Sequence, residues 1–280
     1  MKWLKITYNV LTVSLACVIL LFCASLAFPV TRGFYFLSIG GQLCYNGFND
    51  IGSSISHYGI EGELSDIAEL QRSFSVQHTK NGNYHLAIKA LEKAKELDPE
   101  VKAYYGWVLL YYYRDYERAY QILDEYDRLS PNFSDPVVGE NVNYLKGLAQ
   151  LKRGNAKLAI HEFTTYIDYV SATAGEEWVD VYAFINRGTA HLKLAEYTAA
   201  RQDFKKAIKH YDECTEAFYL MAQSYLKEEK VDSAKQAIQK ANSLMERGWK
   251  HEINYVESFH EIYPQEVERL RQKLKSRLLK

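Results

Sequence analysis

The residues best placed for chemistry are His210, Asp212 and Cys214, three metal-binding side-chain types at alternate positions between two expected helices. A metal centre needs more ligands, converging from several directions. Three such residues in one turn are read as ordinary turn chemistry, and no metal is assigned. His251-Glu252 and His260-Glu261 each begin an H-E-x-x-H pattern, but neither has the second histidine at the required step. No phosphate loop and no G-x-S-x-G elbow is present. Glu176 and Glu177, beside Trp178, read as acidic residues opening a helix near its positive end. Asn132-Phe133-Ser134 is a glycosylation sequon, meaningful only on a eukaryotic secretory route. The cysteines are Cys17, Cys23, Cys44 and Cys214. They form no C-x-x-C, so a zinc or thioredoxin-like site has no support. Cys44 and Cys214 are read as unpaired thiols, with a disulfide between them the alternative in an oxidising compartment. The expectation is a chain without catalytic, cofactor or metal residues.

The elements that would position any site are helices. With 15 Gly and 5 Pro in 280 residues, a turn-rich β architecture is disfavoured. A formal charge of −1, from 34 basic and 35 acidic residues, argues against a nucleic-acid partner. Most of the 23 tyrosines fall within helical patterns, where they fill space between helices.

The helices recur. Residues 81–99, NGNYHLAIKALEKAKELDP, carry a turn, then Ala87, Leu91 and Ala94 at helical spacing, then Asp98-Pro99. Equivalent alanines stand at Ala119, Ala159, Ala200 and Ala234, separated by 32, 40, 41 and 34 residues. Four positions after each comes a large apolar residue: Leu91, Leu123, Phe163, Phe204 or Ile238. Three further on comes Ala94, Tyr126, Tyr166, Ala207 or Ala241. Offsets of four and seven place each set on one helical stripe. In the last three units a small residue, Gly147, Gly188 or Ala222, stands twelve before the alanine and would let two helices approach closely. The turns between them, LKRGNA, LKLAEY and LKEEKV, are short enough to make the helices antiparallel neighbours.

This pattern resembles the tetratricopeptide repeat (TPR) family, over about residues 68–248. The best-matching stretch is 215–248, where Phe218, Met221, Ala222, Tyr225, Ala234, Ile238 and Ala241 fall at the family's places. The resemblance implies an all-α, right-handed TPR-type superhelix of about five helix-turn-helix units. Two features depart from it. Trp107 stands where a small residue is expected, so the first helix of the second unit is shortened or shifted. Insertions, SPNFSDPVVGE and SATAGEEWVD, precede the third and fourth units. The resemblance further implies a concave groove lined by the first helices, where the family's partners dock. Beside the core stripe, a second one reads Tyr144-Leu148-Leu151, Ile185-Thr189-Leu192 and Tyr219-Gln223-Leu226. The candidate groove residues are Tyr144, Leu148, Leu151, Lys152, Tyr182, Ile185, Asn186, Lys193, Tyr219, Gln223 and Lys227. Such a groove would hold an extended peptide or helix with apolar side chains and some negative charge. Packing against neighbouring helices is the alternative role for the same side chains. The Asn/Lys/Arg clamp of TPR co-chaperones is not recognisable, since Asn186 stands nearly alone.

The ends complete the division of the chain. Residues 1–31 are an N-terminal signal or anchor segment. Lys2 and Lys5 precede an uncharged run from Ile6 to Thr31, long enough to span a bilayer, and Ser25-Leu26-Ala27 offers a signal-peptidase site. Both readings place the rest of the chain outside the cytoplasm, either membrane-anchored or cleaved and periplasmic or secreted. Residues 32–66 are read as a linker with a short helix or turn elements, 67–248 as the TPR domain and 249–280 as a C-terminal helical cap. Pro264 stands at a first helical position, and Val267, Leu270, Leu274 and Leu278 form an apolar stripe. The function expected is a protein-binding scaffold or adaptor on the outer side of a membrane. The alternatives are an accessory or regulatory subunit of a membrane enzyme complex, an enzyme with unrecognised catalytic residues, or an array whose C-terminal helix occupies its own groove.

Overall fold

A computed structural model describes residues 29–47, 52, 54–56, 66–131, 133–248, 259 and 261–278. All but the last three residues of the apolar run from Ile6 to Thr31 lie outside that set. Among the described residues no helix is long and apolar enough to cross a membrane. The chain divides into two compact units, Met1–Val101 and Lys102–Lys280.

The first unit contains α1 (Pro29–Tyr45), α2 (Ala68–Lys80) and α3 (Tyr84–Leu97). Helix α1 supplies a helix within the 32–66 stretch, starting before it at Pro29 and running to Tyr45. Its Ser-Ile-Gly-Gly segment obscures the helical signal, and the structure explains the glycine. A Cβ on Gly40 would meet the side chain of Ser56 and, at 2.5 Å, the carbonyl oxygen of Gly52. Leu37 of α1 packs on Phe74 and Ala90, tying it to the first repeat. In that repeat Ala87, Leu91 and Ala94 are fully buried, as the periodicity requires. Buried Ser75 on α2 stands sixteen before Leu91, where a small residue belongs.

The second unit opens within α4 (Val101–Val108), which continues directly into a π-helix at Leu109–Tyr113. Then follow α5 (Tyr116–Asp127), a two-stranded antiparallel ribbon of β1 (Pro136–Val137) and β2 (Glu140–Asn141), α6 (Val142–Lys152) and α7 (Ala156–Thr173). A short 3-10 turn at Glu176–Trp178 leads to α8 (Val181–Lys193), α9 (Tyr197–His210), α10 (Thr215–Lys227), α11 (Val231–Glu246) and α12 (Pro264–Leu278). The first insertion thus carries most of the ribbon, and the second supplies the end of α7 and the 3-10 turn. Each helix from α5 to α12 packs on the next, and the first helices α6, α8 and α10 also touch in series. Helix α12 packs on α11 and α10 as a further first helix would, burying Val267, Leu270 and Leu274.

Close approach within each pair rests on the small residue. A Cβ on Gly147 would lie 2.7 Å from the Phe163 ring, and one on Gly188 2.5 Å from the Phe204 ring. In the second repeat the small residue is Gly106, not position 107, and a Cβ there would lie 2.6 Å from Leu123 Cγ. Gly106 precedes Leu123 by seventeen positions, whereas Gly147 and Gly188 precede their partners by sixteen. The π-helix accounts for the extra residue, since each of its turns closes over one more residue than an α-turn. The first helix is therefore neither shortened nor displaced; it absorbs an insertion.

The turns confirm that count. Five residues before each register alanine, Gly82, Arg114, Gly154, Ala195 and Glu229 all adopt positive φ. The next N–H closes each helix: Asn83 on the carbonyl of His78, Asn155 on Gln150, Glu196 on His191 and Lys230 on Tyr225, each five back. This is the left-handed helix stop. Asp115 instead donates to Leu109, six back, at 3.0 Å. Buried ion pairs join the helices laterally. Lys146 on α6 meets Asp124 and Asp127 of α5, at 3.2 and 3.0 Å, and Glu162 of α7 at 3.5 Å. One repeat later Arg187 on α8 makes a two-pronged pair with Asp203 of α9 at 2.7 and 3.0 Å, and donates to Thr164 of α7.

Candidate functional site

The stripe read as groove lies on the first helices of the second unit, and most of it is buried. Ile185 is fully enclosed, Leu148, Leu151 and Asn186 are 1% exposed, and Tyr144, Tyr182 and Tyr219 are under a tenth exposed. Of the two roles open to these side chains, their burial fits packing against neighbouring helices, and the face is closely packed along this stripe. Tyr144 packs its ring 5.9 Å from Phe163 and 5.6 Å from Tyr166. Its hydroxyl accepts from Asn186 Nδ2 at 3.3 Å, while Asn186 Oδ1 has no hydrogen-bond partner among the described residues. Tyr182 donates to Glu216 at 3.2 Å, one unit on. Burial raises the phenol of Tyr182, and the Glu216 carboxylate adds to that, so it stays a neutral donor.

The residues left accessible on this face are Lys152, Lys193, Gln223 and Lys227. Lys193 Nζ donates to the carbonyl of Leu151 at 3.1 Å, and Arg277 of α12 donates to that of Leu226 at 3.2 Å. Each caps the end of the preceding first helix, where a cation suits the dipole. Between α8, α10 and α12 lies a cavity of about 250 Å³, lined by Leu192, Gln223, Leu226, Lys227, Leu270, Lys273 and Arg277. The C-terminal helix thus forms one wall of the face at its far end.

At the other end the sequence reading missed a polar aromatic cluster. Glu140 on β2 accepts from Trp107 Nε1 at 2.9 Å and from Tyr111 Oη at 2.7 Å. Burial lifts its carboxyl above the usual range, despite the hydrogen bonds from Tyr111 and Trp107. Beside it, Phe259 stacks on Tyr111 with centroids 5.2 Å apart and 14° between the planes, and meets Tyr116 edge-on at 6.1 Å. Lys152 Nζ sits 4.7 Å from the centre of the Phe259 ring and donates to the Phe259 carbonyl at 3.1 Å. No local signal announces this contact, because the partners are 107 positions apart.

The residues considered for metal chemistry are spread among other tasks. His210 stacks on Phe184 with 13° between planes and lies 3.3 Å from Glu176 Oε1. Cys214 is buried and free, its thiol 3.7 Å from Glu216 Oε2, and burial pushes the thiol up. Among the described residues no three His, Cys, Asp or Glu side chains converge on a metal position. Glu176 instead collects Lys206, Lys209 and His210 from α9, and the hydrogen bond from Lys206 leads in holding its carboxyl down at about 2.

The tetratricopeptide repeat profile matches residues 185–243, and a second tetratricopeptide repeat profile matches residues 78–101. The chain is a tetratricopeptide repeat protein. Solved structures share the TPR fold at low identity. MamA (residues 41 to the end) from Desulfovibrio magneticus RS-1 superposes with a TM-score of 0.53 at 22% identity, covering 66% of this chain and 97% of that one. PilW, a widely conserved type IV pilus biogenesis factor, gives 0.56 at 12% identity over 86% of this chain and 98% of its own. YrrB, a TPR protein with an unusual peptide-binding site, gives 0.51 at 19% identity over 67% and 90%. A search of curated protein sequences finds no match. As a TPR array, the chain is a scaffold for protein–protein interaction.

Proposed function

We propose that the first-helix face of the second unit binds a peptide or helical segment of a partner protein, on the outer side of a membrane to which residues 6–31 direct the chain. The observation carrying the binding reading is the pair formed by the cavity between α8, α10 and α12 and the accessible side chains of Gln223 and Lys227 that line it. Apolar walls from Leu192, Leu226 and Leu270 supply area, and Lys227 and Lys273 supply positive charge for an acidic segment. The site on YrrB is a precedent for peptide binding on this fold.

The partner role of the buried stripe is narrower than that of the cavity. Tyr144, Leu148, Leu151, Tyr182, Ile185, Asn186 and Tyr219 set the shape of the face, while Lys152, Lys193, Gln223 and Lys227 meet the ligand. The test is co-purification of the full chain from solubilised membranes with Gln223→Ala and Lys227→Glu combined. Loss of the stoichiometric partner with unchanged helicity is expected; undiminished recovery moves the binding site elsewhere. For placement, Lys2 and Lys5 ahead of the apolar run motivate a reporter fused after Lys280 that is active only if exported. Activity of a cytoplasm-only reporter at that position would overturn the assignment.

A further inference from the structure

Phe259 occupies none of the repeat's register positions, yet it is gripped by side chains from three successive helical elements. Its ring lies against Tyr111 of the π-turn and Tyr116 of α5, beneath the ammonium of Lys152 at the end of α6. The same lysine holds the Phe259 main-chain carbonyl. One residue is thus recognised twice, by an aromatic ring and by a backbone acceptor. Core aromatics of the array are held differently: Phe163 and Phe204 are fully buried beneath a glycine of the paired helix. Two tyrosine rings and a cation around a half-buried phenylalanine are a recognition geometry, because stacking, edge and cation–π contacts suit any aromatic ring of similar size.

We propose that Tyr111, Tyr116 and Lys152 form a socket for an aromatic side chain carried on an extended acidic peptide, and that Phe259 fills it in cis as a built-in competitor. The proposal rests on the binding face described above and makes its partner and its regulation specific. The chemistry of the partner follows from that of the occupant. Phe259 is flanked in sequence by Glu257 and Glu261, and the face carries Lys152, Lys193 and Lys227. Tethering supplies the competition. Pro264, five positions on, opens α12, which Val267, Leu270 and Leu274 anchor to the array. A short tether of this kind gives an effective concentration on the order of millimolar. An external peptide with the same contacts must therefore displace Phe259 before it binds.

The probe is a fluorescein-labelled peptide of residues 254–264, NYVESFHEIYP, titrated against the full chain by fluorescence anisotropy. Phe259→Ala is expected to bind it at least tenfold more tightly than the natural chain. Adding Lys152→Ala, or replacing the phenylalanine of the peptide by alanine, should cost at least tenfold. Equal affinity for the natural chain and Phe259→Ala refutes the proposal, as does binding indifferent to the peptide's phenylalanine, or none at all. If Phe259→Ala loses helicity, Phe259→Ser is read in the same way. The titration is independent of the co-purification test. A peptide that prefers the emptied socket while Gln223→Ala/Lys227→Glu still recovers partner keeps the socket and rejects the binding face. The reverse pattern rejects only the socket.

Discussion

Adding a single carbon at Gly188 tests the helix pairing that organises the second unit. A Cβ there would lie 2.5 and 2.9 Å from two ring carbons of Phe204 and 3.1 Å from the carbonyl oxygen of Ala200. Carbon atoms prefer about 3.5–4.0 Å, so the ring or the helix must move by roughly an ångström. The ring has nowhere to go, because Phe204 is completely buried. Overpacking of this kind costs about 1–3 kcal/mol. Replacing a mid-helix glycine with alanine returns about 1 kcal/mol of helix propensity. Gly188→Ala should therefore lose about 1 kcal/mol net, and Gly188→Leu about 3 kcal/mol. Phe204→Leu alone should also destabilise, by leaving space unfilled. Combined with Gly188→Ala it should cost less than the two changes in sum, by about 1 kcal/mol, because the smaller side chain clears the new methyl. Urea unfolding of the four proteins, followed by far-ultraviolet circular dichroism, measures the cycle. Additive losses, or a Gly188→Ala chain more stable than the original, would refute the proposed contact between α8 and α9.

The left-handed residues that close the first helices offer the opposite change. Arg114→Gly and Ala195→Gly should each raise stability by about 0.5–1 kcal/mol in thermal unfolding, since glycine adopts φ of 54° and 59° without a Cβ penalty; lower midpoints would count against the turn analysis. Lys146→Ala leaves Asp124, Asp127 and Glu162 without their shared cation and should cost about 2–4 kcal/mol in urea unfolding, and a neutral outcome would show the cluster to be solvated. The carboxyl of Glu176 is depressed to about 2, first by Lys206, so the stability it lends is present above its unfolded value near 4.5 and is lost as pH falls towards 2. Glu176→Gln should flatten the pH dependence of the melting temperature between about pH 5 and pH 2, by a small amount because the pair is partly solvated; unchanged curvature would mean the contact is not formed in solution.

The packing skeleton was legible because it is local. Ala87, Ala119, Ala159, Ala200 and Ala234 recur at fixed offsets from Leu91, Leu123, Phe163, Phe204 and Ile238, and every one of these ten side chains is at most 1% exposed. Helix α12 was legible for the same reason, from Pro264 and its stripe of Val267, Leu270 and Leu274. The π-turn was not, since an inserted apolar residue in VLLYYY leaves the composition unchanged and only breaks the count to Gly106. Burial of Tyr144, Ile185 and Tyr219 was also hidden. Offset arithmetic finds which side chains share a face, but the contacts that close that face come from neighbouring units. Phe259 lies further still beyond its reach, joined to Lys152 by tertiary structure alone.

The five residues of Leu109–Tyr113 work as a phase shifter. Upstream of them, Gly106 keeps the register that the stacking of helices demands; downstream, Arg114 takes the same positive φ as the turn residues of the other repeats, and Asp115 closes the helix one residue further back. The surplus residue is spent wholly in between, where the side chains are swung about the axis and Tyr111 comes to face Glu140 and Phe259. What a unit shows its neighbours and what it shows a visitor are thereby uncoupled. In a fold built by copying one hairpin, a single-codon insertion can rewrite the displayed surface of one copy without disturbing the joinery on either side.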